Sequence, residues 1–471
     1  MLRRALRVLL RPAVTGALLL AVGAATHLPS FLRAFWNPDE GFLATQGRML
    51  ATGTDLYTGV VDRKPPVLPY LYAAVFELFG PDRLWPVKTL ALLAHLATAA
   101  LLLLLARRRY GPTAGLAAAL LYLVASIGLS PPDAHAANFE VFMLPATAAA
   151  MVLADRRRYA WAGIAVAVAA LTKQSGGAVL LPVLWLAWRQ SGRQGAVRVL
   201  AGTAAPVVLV APLFGVGRFL FWVVTGSGGY LSLEGGWLRA VARAGVNFGI
   251  VVAAGLPVVW AAWRGRRPRA DADLWLWLAA SVLAVGAGTR FFGHYFLQLL
   301  PPLTMLGVAG IARGALRWRT AAVYAALSAT VFTWMALIWP QARLEHIQSV
   351  AKTVRAETRP GEHLLVWGMN PAMYYFSERP PATRFLTAGF LTNFSGGRPE
   401  RQVGESLAVP GAWDQFAEDL MRTRPELVID DSGPAAAYRP DRIPRFEEFL
   451  RANYREVARD RHMIIYRRVA P

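Results

Sequence analysis

The stretch Asn37-Pro38-Asp39-Glu40, followed later in the same loop by Asp62-Arg63-Lys64-Pro65-Pro66, sets two adjacent carboxylates and a lysine directly after an apolar run at the N-terminus. Charged groups at the edge of a bilayer are costly, so those that occur there usually mark a reaction site or an ion path. The pattern therefore predicts a membrane protein whose function lies at one surface of the bilayer.

The composition of the whole chain agrees with a membrane protein. Of its 471 residues 55% are hydrophobic, more than a soluble protein of this length needs for its core. The net charge of +21 comes mainly from short arginine groups beside apolar runs, as the positive-inside rule describes. Nucleic-acid binding is therefore the poorer explanation of the charge, and no nucleic-acid partner is expected. The chain has no cysteine, which excludes disulfides, thiolate catalysis and cysteine metal sites.

Apolar runs long enough to cross a bilayer as helices predict a polytopic α-helical membrane protein with about eleven spans. The first run leads directly into the acidic loop, so it is expected to be an uncleaved span rather than a signal peptide. If the N-terminus is cytoplasmic, all the arginine groups fall on the cytoplasmic side. These groups are Arg3 to Arg11, Arg107–Arg109, Arg156–Arg158, Arg189 to Arg198, Arg264 to Arg269 and Arg313 to Arg319. The predicted spans lie near residues 8–28, 86–106, 112–130, 139–154, 159–173, 175–189, 199–217, 246–263, 273–289, 293–312 and 320–340.

The same topology predicts two domains. Residues 1–340 are expected to form the transmembrane domain, whose external loop, residues 29–85, is the candidate catalytic loop. Residues 67–80 within that loop are apolar but short, so they are expected to form an interfacial helix. Residues 341–471 are expected to form an extracytoplasmic α/β domain.

The sequence of this second domain is richer in charge, and its apolar runs are short. The pattern predicts strands near 364–367, 427–430 and 463–466 and helices near 413–422 and 445–453. Asp430-Asp431 follows the second strand. A turn or a helix cap explains this pair more simply than a metal or catalytic site does.

The topology places nearly every unusual polar residue at the external face. A carboxylate there can act as a general base on an acceptor hydroxyl, which contributes about 10²–10⁴-fold in rate. A lysine is a compact point charge suited to a phosphate oxygen, and it can stabilise a leaving phosphate. Neither step needs a cofactor, and none is predicted. No spacing of histidines and aspartates demands a metal ion, and metal dependence is left open by the sequence. Besides the first-loop groups, the external set contains Asp133, His135, Asn138, Glu140, Lys173, Arg218, Arg239, Arg290, His294 and Tyr295.

A simpler explanation of Asp39 is that it caps the N-terminus of a helix over residues 41–51. Capping explains one acid and is compatible with catalysis, but it does not explain Lys64.

The order of these motifs resembles that of GT-C fold glycosyltransferases that use lipid-phosphate sugars. These are the protein O-mannosyltransferases and the aminoarabinose transferases that modify lipid A. The resemblance covers about residues 8–340. It rests on Asp39-Glu40, Arg48-Met49-Leu50, Gly53 and Lys64-Pro65-Pro66, then on the segments Asn138 to Met143, Leu171 to Lys173 and Gly293 to Pro302.

The resemblance implies an integral-membrane glycosyltransferase of the plasma (inner) membrane. It would move a sugar from a polyprenyl-phosphate donor to an acceptor hydroxyl on the extracytoplasmic face. Asp39 matches the family's catalytic acid and is expected to be the base of an inverting transfer, with Glu40 and Glu140 as further acids of the site. Lys64 matches the lysine that contacts the carrier phosphate. The other expected binding residues are Asn138, Lys173, His294 and Tyr295. No motif says which arginine joins Lys64 at the phosphate, and Arg218, Arg239 and Arg290 are the candidates.

One departure and one alternative accompany this interpretation. Many relatives have a tyrosine four residues after the first acid, where this chain has Leu43, and this departure concerns the sugar contacts and not the fold. A multi-span lipid or solute transporter is the alternative, although transporters usually have internal repeats and polar groups near the midplane. The sequence identifies neither the sugar nor the acceptor, which could be a lipid, a glycan or a protein.

Overall fold

The computed structural model describes residues 9–226, 236–396 and 398–469, and most of them are helical. Arg3, Arg4 and Arg7 of the first arginine group lie outside these ranges, as do residues 227–235, which follow the predicted span 199–217. The helices before residue 340 are α1 (Pro12–His27), α2 (Pro38–Ala51), α3 (Val67–Phe79), α4 (Trp85–Tyr110), α5 (Pro112–Ala125), α6 (Pro131–Ala134), α7 (Phe139–Asp155), α8 (Tyr159–Thr172), α9 (Leu180–Val210), α10 (Val216–Leu220), α11 (Trp237–Ala254), α12 (Leu256–Arg264), α13 (Ala272–Ala287), α14 (Leu300–Ala312) and α15 (Trp318–Leu337).

Within the described ranges, 6 helical segments are long and apolar enough to cross a membrane. Shorter apolar helices, including α5, α8 and α13, lie between them, so the total of about eleven spans stays a prediction. The 6 segments are Pro12–Leu32, Trp85–Tyr110, Gln174–Phe214, Trp237–Ala254, Gly293–Ala312 and Trp318–Glu357.

The predicted spans 175–189 and 199–217 correspond to the two halves of α9, which are separated at Ser191 and Gly192, where the backbone leaves the helical conformation and Gly192 has φ 57°. A Cβ on Gly195 would lie 2.6 Å from the carbonyl oxygen of Ala187, a contact that a continuous helix cannot make, so the chain turns back there.

One predicted span boundary is wrong. The run 246–263 is interrupted at Gly255, between α11 and α12. Pro257 lies in the first turn of α12, where a residue without an N–H is tolerated. In the interior of a continuous helix the same proline would break the hydrogen bonding.

Ion pairs join four helices at one end of the bundle. Arg109 at the end of α4 contacts Asp155 at 2.9 Å and Asp273 at 2.7 Å. Arg313 after α14 binds Asp271 through two N–H groups, at 2.5 and 2.7 Å. Four of the arginine groups that the sequence assigns to one side are therefore at the same end of the bundle. Arg109 and Arg313 belong to two of these groups, and the other two groups lie beside Asp155 and Asp271 in the sequence. Because α7 has 17 residues, Glu140 in its first turn lies more than 20 Å away, by about 1.5 Å per residue.

The C-terminal residues form an α/β unit. Its four-stranded sheet has the order β1-β2-β4-β3, with β1 parallel to β2 and the other two pairs antiparallel. The strands are β1 (Leu364–Trp367), β2 (Leu427–Asp430), β3 (Tyr454–Asp460) and β4 (Met463–Arg468), and the helices are α16 (Ala342–Glu357), α17 (Ala372–Ser377), α18 (Gly389–Thr392), α19 (Ala412–Thr423) and α20 (Pro444–Asn453).

This unit packs against the loop of residues 29–85 and shares one hydrophobic core with it. A Cβ on Gly41 would lie 2.9 Å from the Cβ of Ala372. The helices α2 and α17 are therefore in contact at a position where any side chain larger than that of glycine would clash. Arg48 donates to the carbonyl of Tyr375 at 3.1 Å and lies over its ring. The predicted boundary at residue 340 separates membrane helices from the sheet, but the core crosses it.

Candidate active site

Helix α2 presents the two acids of the first loop in different directions. Asn37 is its N-cap and accepts a hydrogen bond from the Glu40 N–H at 3.2 Å, so the capping role considered for Asp39 is wrong. Asp39 lies one residue inside the helix with a side chain that is 56% exposed. Glu40 is only 1% exposed. Adjacent helical positions differ by about 100° around the axis, which separates the two carboxylates.

The Glu40 carboxylate is held by three donors from different parts of the chain. Lys88 Nζ of α4 lies 2.5 Å from Oε1, and the Ala137 N–H donates to the same oxygen at 2.7 Å. The Trp36 N–H donates to Oε2 at 2.6 Å. Glu40 therefore fastens the first loop to α4 and to the connection before α7. These contacts favour a structural role over the catalytic role expected from the sequence.

Asp39 faces a buried histidine. His294 Nε2 lies 3.5 Å from Asp39 Oδ2, and His294 Nδ1 lies 2.7 Å from Asp133 Oδ1. The backbone N–H of His294 also donates to that Asp133 oxygen, at 3.0 Å. The structure thus brings together the expected base, an expected binding residue and an aspartate to which the sequence assigned no role.

Two more predicted residues, Glu140 and Lys173, form a buried ion pair with each other. Lys173 Nζ also lies 3.9 Å from the centre of the Tyr295 ring. Both charged side chains are less than a tenth exposed. Lys173 is therefore neutralised by a carboxylate, although the sequence suggested that it contacts substrate.

Lys64 closes the first loop beside a buried aspartate. The Tyr57 hydroxyl donates to the Lys64 carbonyl at 2.7 Å, and Lys64 Nζ lies 5.8 Å from the Phe139 ring. Asp62 is 6% exposed, and its Oδ2 has no hydrogen-bond partner among the described residues. Burial raises the pKa of Asp62 to about 7, and the charge of Lys64 offsets part of that rise.

Asn138 is buried at the start of α7. Neither the nitrogen nor the oxygen of its side-chain amide has a hydrogen-bond partner in the described ranges. A buried amide without partners is costly, so its groups are available for a polar ligand. This observation agrees with the expected binding role.

The three predicted arginines do not share one site. Arg290 is buried, and its carbonyl accepts a hydrogen bond from Arg243 at 3.0 Å. Arg218 and Arg239 are exposed and line separate clefts, the first beside Tyr57 and the second beside Arg398. Of the three arginines, Arg290 is the closest in sequence to the other site residues. It is followed by Phe291 and Phe292 and lies four residues before His294.

Asp133, Asp62 and Arg243 were not predicted as site residues from the sequence. Asp133 and His294 are 161 residues apart, and no local spacing signals their contact. Asp62 could have been singled out because it lies two residues from Lys64 in a loop rich in prolines. Among the described residues, no group of three or more histidine, aspartate or glutamate side chains is placed to hold a metal ion.

The buried pair of Glu40 and Lys88 yields a stability prediction. Lys88→Met leaves the Glu40 carboxylate buried without its cation, which costs about 3–5 kcal/mol. We expect a clear fall in the thermal unfolding midpoint of the detergent-solubilised protein. Arg459→Met is the matched control, because Arg459 pairs with Glu456 on the surface, and its midpoint should be unchanged. An unaltered midpoint for Lys88→Met would show that this pair does not hold the loop.

The raised pKa of Asp62 yields a pH prediction. A carboxyl whose pKa is higher in the folded state stabilises the fold at low pH, and this contribution is lost as pH rises from about 4 towards 7. Asp62→Asn stays neutral, so we expect it to be more stable than the native protein at about pH 8 and nearly equal at about pH 4. Unfolding midpoints at both pH values test this. Asp55→Asn, in an exposed position of the same loop, should show no such difference, and a variant less stable at high pH would contradict the prediction.

Comparison with known proteins extends the geometric picture. Residues 63–216 match the family model described as dolichyl-phosphate-mannose-protein mannosyltransferase. No curated protein sequence matches the chain significantly. ArnT from Cupriavidus metallidurans bound to undecaprenyl phosphate is similar in structure, with TM-score 0.61 and 18% identity over 96% of this chain and 98% of that one. The apo state of ArnT gives TM-score 0.65 and 18% identity over 96% and 97%. The chain therefore has the GT-C fold of the superfamily that includes the protein O-mannosyltransferases and the aminoarabinose transferases.

Proposed function

We propose that this protein is an integral-membrane glycosyltransferase that transfers a sugar from a polyprenyl-phosphate donor to an acceptor hydroxyl. The observation that carries the proposal is the position of Asp39. Its carboxylate is 56% exposed, whereas the neighbouring charged residues Glu40, Glu140, Lys173 and His294 are buried. Of these acids, Asp39 is the one that an incoming hydroxyl can reach.

The chemistry follows from this placement. Asp39 removes the proton of the acceptor hydroxyl while the acceptor oxygen forms a bond to the anomeric carbon of the donor sugar. The bond between that carbon and the phosphate oxygen breaks, and its electron pair stays on the lipid phosphate. A single displacement of this kind inverts the anomeric centre. Lys64, half-buried in the same loop, binds the phosphate and stabilises its growing charge.

The comparisons support the donor class. The similar structure of ArnT is bound to undecaprenyl phosphate, and the matched family is described by a dolichyl-phosphate sugar. Both are polyprenyl phosphates, so a lipid-phosphate sugar is the donor that we infer for this chain. Asn138, with unpartnered groups, is the residue that we propose for a sugar hydroxyl.

The proposed orientation has a cytoplasmic N-terminus and an extracytoplasmic C-terminal unit. It is supported by the arginine-rich end of the bundle, which lies opposite Glu140 along α7 and fits the positive-inside rule. The acceptor would then be a lipid, glycan or protein outside the cytoplasm.

A transporter is the weaker proposal. Its polar groups would be expected near the middle of the membrane helices. Here Asp39, Asp133 and Glu140 belong to the first turns of their helices, and Lys173 follows the end of α8. This clustering at helix ends favours a reaction at one surface.

The base assignment predicts that Asp39→Asn abolishes transfer. The amide cannot accept the hydroxyl proton, so we expect a fall in kcat of about 10²–10⁴-fold with little change in donor binding. The measurement is transfer by purified protein from a panel of labelled polyprenyl-phosphate sugars. Asp55→Asn is the control at an exposed position of the same loop. Full activity of Asp39→Asn would overturn the assignment.

The phosphate assignment predicts a different kinetic effect for Lys64. Lys64→Ala removes a cation from the carrier phosphate, so we expect a higher KM for the donor and a lower kcat, with the acceptor KM unchanged. Lys352→Ala removes an exposed lysine of α16 and serves as the control. Unchanged donor dependence of Lys64→Ala would contradict the assignment.

A further inference from the structure

Three side chains from distant segments meet in a line at the proposed base. Asp133 of α6 contacts His294 Nδ1 at 2.7 Å, and His294 Nε2 points to Asp39 Oδ2 at 3.5 Å. Asp39 is the exposed member of this line, with a side chain that is 56% exposed, against 8% for His294 in the middle and 20% for Asp133 at the other end. The open end of the line is therefore the carboxylate that we propose as the base.

The fold is built closely around the inner part of this line. A Cβ on Gly293 would lie 2.3 Å from Asp133 Oδ2, so only glycine lets the carboxylate approach the backbone there. The Phe292 ring is stacked on the imidazole, with centres 5.7 Å apart and planes 8° apart. Tyr295 meets the same ring edge-on at 4.9 Å. The imidazole is thus held in one orientation.

The hydrogen bonds determine which imidazole nitrogen carries the proton. Asp133 Oδ1 already accepts the His294 backbone N–H, and an ionised carboxylate can only accept. Nδ1 must therefore be the donor to Asp133, which leaves the Nε2 lone pair of the neutral imidazole facing Asp39. Nδ1 of His294 is thus bonded to a partly buried acid, whereas Nε2 is directed at an exposed one.

We propose that Asp133 and His294 are positioning residues for Asp39 and that His294 takes up the proton that Asp39 removes. This inference rests on the proposed function. The acceptor proton passes to Asp39 Oδ2 as the new glycosidic bond forms and the bond to the lipid phosphate breaks. It then passes to His294 Nε2, which leaves Asp39 ionised and the imidazolium between two carboxylates. The proton returns through Asp39 to water after the product leaves.

The charges around the imidazole favour this transfer. Asp39 from α2, Asp133 from α6 and Glu140 from α7 all interact electrostatically with His294. Lys173 is the nearby cation, and it is paired with Glu140. An imidazolium is therefore stabilised on both sides by groups already in place. The distance of 3.5 Å is longer than a hydrogen bond, and catalytic contacts of this kind often shorten only in the substrate complex.

A double-mutant cycle tests the inference. His294→Gln should lower kcat by about 10²-fold and leave the KM values for donor and acceptor nearly unchanged. Asp39→Asn/His294→Gln should be no slower than Asp39→Asn alone, because the imidazole acts through the carboxylate. Gly293→Ala keeps all three polar groups but displaces Asp133, so it should also lower kcat and not KM.

Controls separate this role from a loss of folding. Asp133→Asn keeps an acceptor for Nδ1–H without the charge, and we expect it to fold with a smaller loss of kcat. His462→Gln changes another histidine that pairs with an aspartate, Asp431 at 3.0 Å, and should keep the native rate. Unfolding midpoints of all variants are measured beside the rates.

The outcomes distinguish the inference from the function on which it rests. If Asp39→Asn keeps full transfer, the base assignment fails and the inference fails with it. If Asp39→Asn is inactive but His294→Gln keeps the native kcat, the inference alone is overturned. The same holds if the two losses multiply in the double variant, since independent effects multiply.

Discussion

The burial of Glu40 is the constraint on which the arrangement of the site depends. A carboxylate that is 1% exposed is tolerable only if cations and N–H groups compensate for the lost water, and here Lys88 and two backbone donors do so. These donors come from α4, from the residue before the N-cap of α2 and from the connection before α7. Because Glu40 is held in place by these donors, the direction in which the side chain of Asp39 projects from the helix is fixed as well.

The two ends of the bundle use different ion pairs. Lys88–Glu40 and Lys173–Glu140 lie at the end with the proposed site, whereas Arg109 and Arg313 bind aspartates at the other end. Arginine offers a planar fork that suits two-point binding, while lysine is a compact point charge. The sequence has four lysines, and two of them, Lys88 and Lys173, neutralise buried glutamates. Lys64 is the lysine that we propose for the phosphate.

Local patterns predicted the elements, and distant contacts defined the site. The apolar runs of β1, β2 and β4 predicted strands, but β3 was missed because only Tyr454 of it is buried and the rest is exposed. Asp430 accepts from the Ser432 N–H at 2.9 Å, as a turn residue does, which agrees with the simpler explanation of that pair. The sequence pointed to Asp39 and His294 separately. The contact between Asp39 and His294, and the burial of Glu40, depend on how α2 packs. No local pattern in the sequence predicts that packing.

The C-terminal unit is part of the wall of the site and not an appendage. Arg243 donates to the carbonyls of both Arg290 and Gly396, and a Cβ on Gly396 would lie 3.1 Å from the Phe292 ring. Phe292 in turn stacks on His294. A shift of the segment around Gly396 would therefore move the ring that holds the imidazole beside Asp39.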